Sequence, residues 1–233
     1  MDFGVCKVYT RPTRNNGKMI ILSDLHLGSN RNYLYNLNRW LKKENKDQEV
    51  VLLGDTFDDY KKRFLTYDDL VFLERVREFN SVHIFPGNHD AQVFRNHSHH
   101  FASYCGKMHC NLDNLPVHLT PNILALHGDH WDRTNPILMR CADVVYDLML
   151  ANNRTGYGWI KQLAKRRCIN SFLKNAKILF EEKPEVDYIL VGHLHQQQSW
   201  ELLPGKTLVC SGCFVEEETF LTVQGKTITM RRF

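Results

Sequence analysis

Residues 50–58 read Val50-Val51-Leu52-Leu53-Gly54-Asp55-Thr56-Phe57-Asp58, an apolar, β-branched run that passes into a glycine and two carboxylates. A run of this length that stops at Gly and Asp predicts a buried strand followed by a loop. A carboxylate at the end of a buried strand needs a partner, because an unpaired polar group inside a protein is costly. The stretch therefore predicts one strand of a buried sheet with a functional loop at its end.

The same pattern occurs four more times along the chain. Apolar runs at residues 19–22, 82–85, 123–126 and 188–191 each pass into a short polar string. The five polar strings are Asp24-Leu25-His26, Gly54-Asp55-Thr56-Phe57-Asp58, Gly87-Asn88-His89-Asp90, His127-Gly128-Asp129 and Gly192-His193-Leu194-His195. Because binding groups in open α/β sheets gather beyond the carboxyl ends of the strands, we expect the five strings to meet at one site.

The residue types in the five strings predict a site for two divalent metal ions. Carboxylate and amide oxygens combine there with imidazole nitrogens, and no string contains a cysteine. Such a ligand set suits Mn²⁺, Fe or Zn²⁺ better than a thiolate-rich structural zinc site, and Mn²⁺ is the ion that we favour. A carboxylate such as Asp55 could bridge two ions about 3.5 to 4 Å apart. The chemistry expected of such a pair is hydrolysis of a phosphoester by direct in-line attack of hydroxide, without a covalent intermediate.

These ordered motifs resemble the calcineurin-like metallophosphoesterase superfamily, and the resemblance covers about residues 18–196. It implies a four-layer α/β sandwich of two mixed β-sheets flanked by helices. It also implies that one metal ion is held by Asp24, His26, Asp55 and His195, and the other by Asp55, Asn88, His127 and His193.

The resemblance assigns three further residues to catalysis. His89 matches the superfamily's histidine that binds no metal, contacts the phosphate and assists the leaving group. Asp90 would orient His89, and Asp58 would hold a ligand histidine in the correct tautomer.

Composition is consistent with one compact enzyme domain over residues 1–233. The chain is 43% hydrophobic over 233 residues, which is enough to bury a large core without requiring a second domain. Residues 1–10 lack the pattern of a signal peptide, and the seven cysteines include no pair of pairs at zinc-site spacing. We therefore expect a cytoplasmic protein with reduced thiols.

Helical spacing of apolar residues predicts two routine helices before the third strand. The first buries Leu34, Leu37, Trp40 and Leu41, and the second buries Leu70, Leu73, Val76 and Phe79. Closing strands are predicted at residues 207–209, 220–223 and 227–230, the last two as a hairpin around Gln224-Gly225-Lys226.

Residues 136–180, between the fourth and fifth strings, predict a helical cap inserted beside the metal site. From Arg154 to Lys177 this segment carries seven basic residues and no acidic one, whereas a solvated helix face normally mixes both signs. Charge of one sign favours a surface for phosphates or for an acidic membrane face. The cap could therefore place the protein at the inner membrane face as a peripheral contact.

The cap resembles the branch of the superfamily that contains UDP-2,3-diacylglucosamine pyrophosphatase. The resemblance rests on the His-Gly-Asp string, the basic helical insertion and the stretch Leu208 to Glu216. It implies that Arg167, Asn170, Lys174 and Lys177 contact a diphosphate and lipid. That pyrophosphatase has Arg in its Gly-Asn-Arg-Asp string, whereas this chain has His89.

Four functions remain open at this point. A phosphodiesterase or pyrophosphatase acting on a nucleotide or a nucleotide-linked lipid explains the basic cap best. A phosphoprotein serine/threonine phosphatase would have Gly-Asp-x-Val-Asp-Arg-Gly and Gly-Asn-His-Glu, which this chain lacks. A DNA nuclease shares Gly-Asn-His-Asp, but a net charge of +4 is modest for a nucleic-acid binder. A metal-bound scaffold is the least favoured, because every ligand type is present.

Overall fold

A computed structural model of the chain describes residues 17–28, 34–57, 65–90, 109–110, 116–132 and 158–233, with the backbone alone at 109–110 and 158–165. The strands of these residues are β1 (Lys18–Leu22), β2 (Glu49–Leu53), β3 (Ser81–Phe85), β4 (His109–Cys110), β5 (Val117–Thr120), β6 (Ile123–Leu126), β7 (Tyr188–Val191), β8 (Gln197–Leu203), β9 (Lys206–Ser211), β10 (Thr219–Gln224) and β11 (Thr227–Arg232). The helices are α1 (Leu34–Lys43), α2 (Tyr67–Arg77), α3 (Gly158–Glu182) and the short α4 (Phe214–Glu217), with a 3₁₀ turn at Asp129–Trp131.

Two mixed sheets form the middle of the fold. The first sheet has the order β11-β10-β1-β2-β3-β4, in which β1 to β4 are parallel and the β10–β11 hairpin is antiparallel. The second has the order β5-β6-β7-β9-β8, in which the central three strands are parallel. All five predicted motif strands are present, and each starts or ends within a residue of its apolar run.

Alternation along the strands divides the core into three packed zones. Ile20, Val50 and Leu52 face α1 and α2, while the intervening Ile21, Val51 and Leu53 pack between the sheets. On the outer face of the second sheet, strand residues pack against Phe172, Ala176 and Phe180 of α3. The layers are therefore helices, sheet, sheet and helix, which confirms the expected four-layer α/β sandwich.

The first two helices follow their predicted apolar spacing with one correction. Leu34, Leu37 and Leu41 are buried in α1, and Leu73 and Val76 are buried in α2. Leu70 is 39% exposed, however, and Phe72 is fully buried in its place, so the predicted core face of α2 was wrong at that position. The start of α2 is fixed by a capping box between Thr66 and Asp69.

Helix α3 is a continuous helix of 25 residues. It includes the described part of the predicted cap, and its residues 172, 176 and 180 cover the second sheet as part of the core. The earlier part of the predicted cap, residues 136–157, lies outside the described residues. Strands β4, β5 and β8 did not figure among the predicted strands. Within the described residues, no helix combines the length and the apolar character needed to cross a membrane.

Candidate metal centre

The five polar strings begin one or two residues after the carboxyl ends of β1, β2, β3, β6 and β7. Backbone hydrogen bonds join the loops that carry them. Asp24 N donates to Gly54 O at 3.1 Å, His26 N donates to Asp55 O at 2.9 Å, and Gly192 N donates to His127 O at 3.1 Å. The parallel strands of both sheets thus bring residues from five loops together at one edge.

Six of the seven predicted metal ligands form two groups at this edge. In each group the potential ligand atoms lie within 4.8 Å of one another: Asp24, His26 and His195 form the first group, and Asp55, His127 and His193 form the second. His195 Nε2 lies 3.2 Å from Asp24 Oδ1, and His127 Nε2 lies 3.2 Å from Asp55 Oδ2. The seventh predicted ligand, Asn88, is exposed in the loop after β3, next to the His89 N–H that donates to Asp55 Oδ1 at 2.9 Å.

The donor atoms fit divalent ions. Three buried ligand atoms lack a hydrogen bond of good geometry within the described part of the chain: Asp24 Oδ1, His26 Nε2 and His127 Nε2, of which the first and the last face another ligand at 3.2 Å. Orphaned polar atoms at this depth are expensive unless another group binds them. His127 Nδ1 lies 2.9 Å from Leu53 O, and donation to this carbonyl leaves Nε2 as the lone-pair atom. A cation bound by each group would satisfy these atoms.

Five of the predicted ligands have left-handed backbone conformations. The φ angles are 54° at Asp24, 44° at His26, 49° at Asp55, 62° at His193 and 48° at His195. Each such residue other than glycine costs about 1 to 3 kcal/mol, and such strain concentrates at functional sites. The left-handed conformations at His193 and His195 turn the chain sharply, so that these two side chains from one loop reach different ligand groups.

Two glycines leave room for the ligand side chains. A Cβ at Gly87 would collide with the Asp55 carboxylate, and a Cβ at Gly192 would collide with Ser23, Asp24 and His127. Both positions therefore require glycine for close approach rather than for backbone freedom.

The electrostatics of the site couple carboxylates to imidazoles. Although burial acts in the opposite direction, the negative charges of Asp55 and Asp24 raise the pKa of His127 to about 10. Asp24, Cys213 and Glu216 likewise raise the pKa of His195 against the effect of burial. Burial acts to raise the pKa of Asp55, but the pKa is lowered because His127, His89 and His26 surround the carboxylate. The carboxylates and imidazoles therefore stabilise each other's charged forms where cations would bind.

His89 lies beside the two groups. Its ring is 4.8 Å from that of His26, and its Nε2 lies 4.0 Å from Asp55 Oδ2. The side chain is 26% exposed, so one side of the ring remains accessible from solvent.

Asp90 is fully buried and ties two loops together. Its carboxylate accepts hydrogen bonds from the backbone amides of Thr56, Phe57 and Gly87 at 2.7 to 3.0 Å. Burial and then the charge of Asp55 raise the pKa of Asp90 to about 7. These bonds set the relative positions of the Asp55 and Asn88 loops, and the orienting action on His89 remains a prediction. Asp58 lies outside the described residues.

The four predicted substrate-binding residues lie on one exposed face of α3. Arg167, Asn170, Lys174 and Lys177 are all exposed, and their spacing places them in one row along the helix. The same helix passes the metal centre on its buried side, where the ring of Phe172 stacks on that of His193 at 6.0 Å. At about 1.5 Å of rise per residue, Lys177 lies one to two turns beyond that contact.

Sequence reasoning missed the residues that support the ligands. Asp132 Oδ2 lies 3.2 Å from His193 Nε2, and Glu216 Oε1 lies 3.5 Å from His195 Nδ1. Neither residue belongs to a motif string. The only sequence signal for Asp132 is that it follows the His127-Gly128-Asp129 string by three residues, and such carboxylates are common in loops. Glu216 lies 21 residues after His195, so its spacing gave no signal.

The comparisons with known proteins identify the class. Residues 17–197 match the family model described as calcineurin-like phosphoesterase, and the chain belongs to this family. Members typically bind two divalent metal ions, and the two ligand groups are the candidate sites. No curated protein sequence matches the chain.

Similar solved structures are remote in sequence. Vps29 from Chaetomium thermophilum is 15% identical, with 92% of this chain and 85% of that chain covered at a TM-score of 0.49. A predicted phosphoesterase from Streptococcus pneumoniae is 16% identical, with 93% and 98% covered and a TM-score of 0.41. Phosphopantetheinyl hydrolase from Mycobacterium tuberculosis is 14% identical, with 84% and 90% covered and a TM-score of 0.42. Such remote likeness does not identify a substrate.

Proposed function

We propose that the protein is a hydrolase of phosphodiester or pyrophosphate bonds that depends on two divalent metal ions, with Mn²⁺ as the favoured ion. The observation that carries this proposal is the pair of ligand groups at one sheet edge with orphaned, buried donor atoms. Two bound ions would lower the pKa of a water molecule and neutralise charge on the phosphoryl group. One ion would be held by Asp24, His26, Asp55 and His195, and the other by Asp55, Asn88, His127 and His193.

His89 is the residue that we assign to the leaving group. It is partly exposed beside both ligand groups, so its ring can contact a phosphate oxygen or give a proton to the departing oxygen. Its backbone N–H bond to Asp55 fixes the loop that carries it. This main-chain contact holds the histidine at the edge of the metal centre.

A nucleotide or a nucleotide-linked lipid, such as a UDP-linked acyl sugar, is the substrate class that we favour. The exposed row of Arg167, Lys174 and Lys177 runs along the helix whose inner side contacts the metal centre. The row lies on the side of α3 opposite Phe172, so it would meet a lipid surface or a distal anionic part of a long substrate rather than the phosphate at the metal ions. A phosphoprotein phosphatase is the second candidate, and it would use the same metal centre without needing the basic row.

A substrate panel tests the reaction. Protein loaded with Mn²⁺ would be assayed against bis-p-nitrophenyl phosphate, p-nitrophenyl phosphate, UDP-linked lipids, nucleotides, a phosphopeptide and single-stranded DNA. We expect turnover of diesters or pyrophosphates that EDTA abolishes and Mn²⁺ restores. Turnover confined to the monoester or the phosphopeptide would refute the proposal in favour of a phosphatase, and the absence of any turnover would favour a metal-bound scaffold.

A charge-matched pair of variants tests the basic row. The triple change Arg167→Ala, Lys174→Ala and Lys177→Ala should raise KM for the physiological substrate and leave a small chromogenic diester unaffected. The control removes the same charge from the exposed residues Arg39, Lys42 and Lys43 of α1, in the outer layer opposite α3. An equal effect of both triple variants on KM would show that the row acts only through the net charge of the protein. Liposome binding of both variants would show whether a membrane is the partner.

A further inference from the structure

Three of the candidate ligand imidazoles, those of His127, His193 and His195, share one arrangement. In each ring one nitrogen is available to its ligand group, and the other nitrogen lies near an oxygen of the protein that can accept a hydrogen bond. For His127 the acceptor is Leu53 O at 2.9 Å, and for His195 it is Glu216 Oε1 at 3.5 Å. For His193 the acceptor is Asp132 Oδ2, which lies 3.2 Å from Nε2. Such partners fix the tautomer and the ring orientation of metal ligands.

Asp132 is the less exposed of the two carboxylate acceptors. Its side chain is only 17% exposed, and His193 is 18% exposed, so water screens their interaction incompletely. Asp132 follows the 3₁₀ turn, and its N–H donates to Asp129 O at 3.0 Å. The preceding residue is held from the other side, because Ser171 Oγ of α3 donates to Trp131 O at 2.6 Å.

Helix α3 supplies two more contacts to the same pair. The Cys168 thiol hydrogen-bonds to the Asp132 carboxylate, and the ring of Phe172 stacks on His193 at an interplanar angle of 7°. Cys168, Ser171 and Phe172 lie within about one turn of each other, so a single turn of α3 contacts both Asp132 and His193.

We infer that Asp132 is a positioning residue for the second metal ion. It holds the His193 ring with Nε2 protonated and Nδ1 facing the ion, and Cys168 in turn orients Asp132. This inference rests on the proposed metal centre and deepens it. It makes α3, which also carries the basic row, a structural support of that centre. A change in α3 that moves Cys168 or Phe172 would then alter metal binding without touching a ligand.

The tautomer can be measured directly in the wild-type protein. With Zn²⁺ as a diamagnetic probe, long-range ¹H–¹⁵N spectra of histidine should show a proton on Nε2 of His193 and none on Nδ1. His127 should show the opposite pattern because Leu53 O accepts from its Nδ1. A proton on Nδ1 of His193 would overturn the inference, whether or not any substrate is ever found.

Variants of Asp132 test the coupling to the metal. Asp132→Ala should weaken one of two Zn²⁺ sites by about 10- to 100-fold in a calorimetric titration, as removal of such partners does elsewhere. Asp132→Asn keeps an oxygen that accepts the Nε2–H bond, so it should restore most of the affinity. Equal losses in both variants would assign the effect to charge instead and overturn the positioning role. If Asp132→Ala does not fold, the tautomer measurement and Asp132→Asn still decide.

A variant of Cys168 distinguishes the positioning role of Asp132 from a third metal site. Asp132, Cys168 and His193 also place potential ligand atoms within 4.8 Å of one another. In the positioning role, Cys168→Ser keeps a donor to Asp132, and the protein should bind two Zn²⁺ ions per chain before and after the change. Three Zn²⁺ ions in the wild type that fall to two in Cys168→Ser would overturn the inference.

Discussion

Asp55 faces imidazoles of both ligand groups, which makes it the most informative single residue of the site. It lies 3.2 Å from His127 of the second group, and it interacts electrostatically with His26 of the first. Its Oδ1 is fixed by the backbone N–H of His89, so the side chain has little freedom to move.

We expect Asp55→Asn to retain the fold and lose most of the activity. A neutral amide bridges two cations poorly, so activation of water by two ions would be lost. Turnover in Mn²⁺ and metal content per chain are the measurements. Asp47→Asn, at an exposed site in the first layer, is the control, and wild-type turnover by Asp55→Asn would refute the bridging role.

His89→Ala should keep two metal ions per chain while kcat falls by about 10²- to 10⁴-fold, the contribution typical of a general acid. Substrates with a p-nitrophenolate leaving group need little protonation and should suffer less. Loss of one metal ion in this variant would instead make His89 a ligand.

At the scale of elements, α3 combines a core role with contact to the site. Phe172 and Phe180 are both almost completely buried under the second sheet, but they differ in one respect. Phe172 stacks on His193 and meets Trp131, whereas Phe180 lies about two turns further along the helix.

This difference makes a matched pair of variants. Phe172→Ala and Phe180→Ala should each lower the free energy of unfolding by about 3 to 5 kcal/mol, because each leaves a cavity in the core. Only Phe172→Ala should also weaken metal binding, since His193 loses the ring that packs on it. Chemical denaturation and Zn²⁺ titration of both variants are the measurements. Equal metal affinities would show that α3 stabilises the fold without ordering the site.

At the scale of the whole molecule, the fold holds a costly arrangement in place. Five ligands have positive φ, and several buried donor atoms have no hydrogen bond among the described residues. Metal ions held by the two ligand groups would find no such site in the unfolded chain, so they should raise stability by mass action.

The pH dependence of that stabilisation follows from His127. Its pKa of about 10 in the metal-free fold lies above its ordinary value of 6.5, so the protonated ring adds stability that is complete below pH 6.5. This stability is lost as the pH rises through 10. A ligating imidazole is neutral, so the metal-loaded protein lacks this dependence. The gap in Tm between Zn²⁺-loaded and EDTA-treated protein should therefore widen from pH 7 to pH 10, and a constant or shrinking gap would contradict the assignment.

Much of the fold could be predicted because its signals are local. Apolar runs that end in polar strings predicted β1, β2, β3, β6 and β7, and helical spacing predicted α1 and α2. Strand β8 escaped because Gln197–Leu203 is largely polar and half-exposed, and nothing in its own residues marks it as buried. Leu70 was predicted to be buried where the structure buries Phe72, because helical spacing alone does not fix which face of a helix meets the sheet.

The sequence by itself determined the residue types of the metal centre and their order, because motif residues are set by chain neighbours and by strand ends. Only the tertiary structure decided which atoms meet. Asp132 reaches His193 across 61 positions, and His193 N–H reaches Asp24 across 169. Contacts at such separations depend on the stacking of two sheets and a helix, which no local pattern encodes, and the left-handed backbone at five ligands is stable only because that packing imposes it.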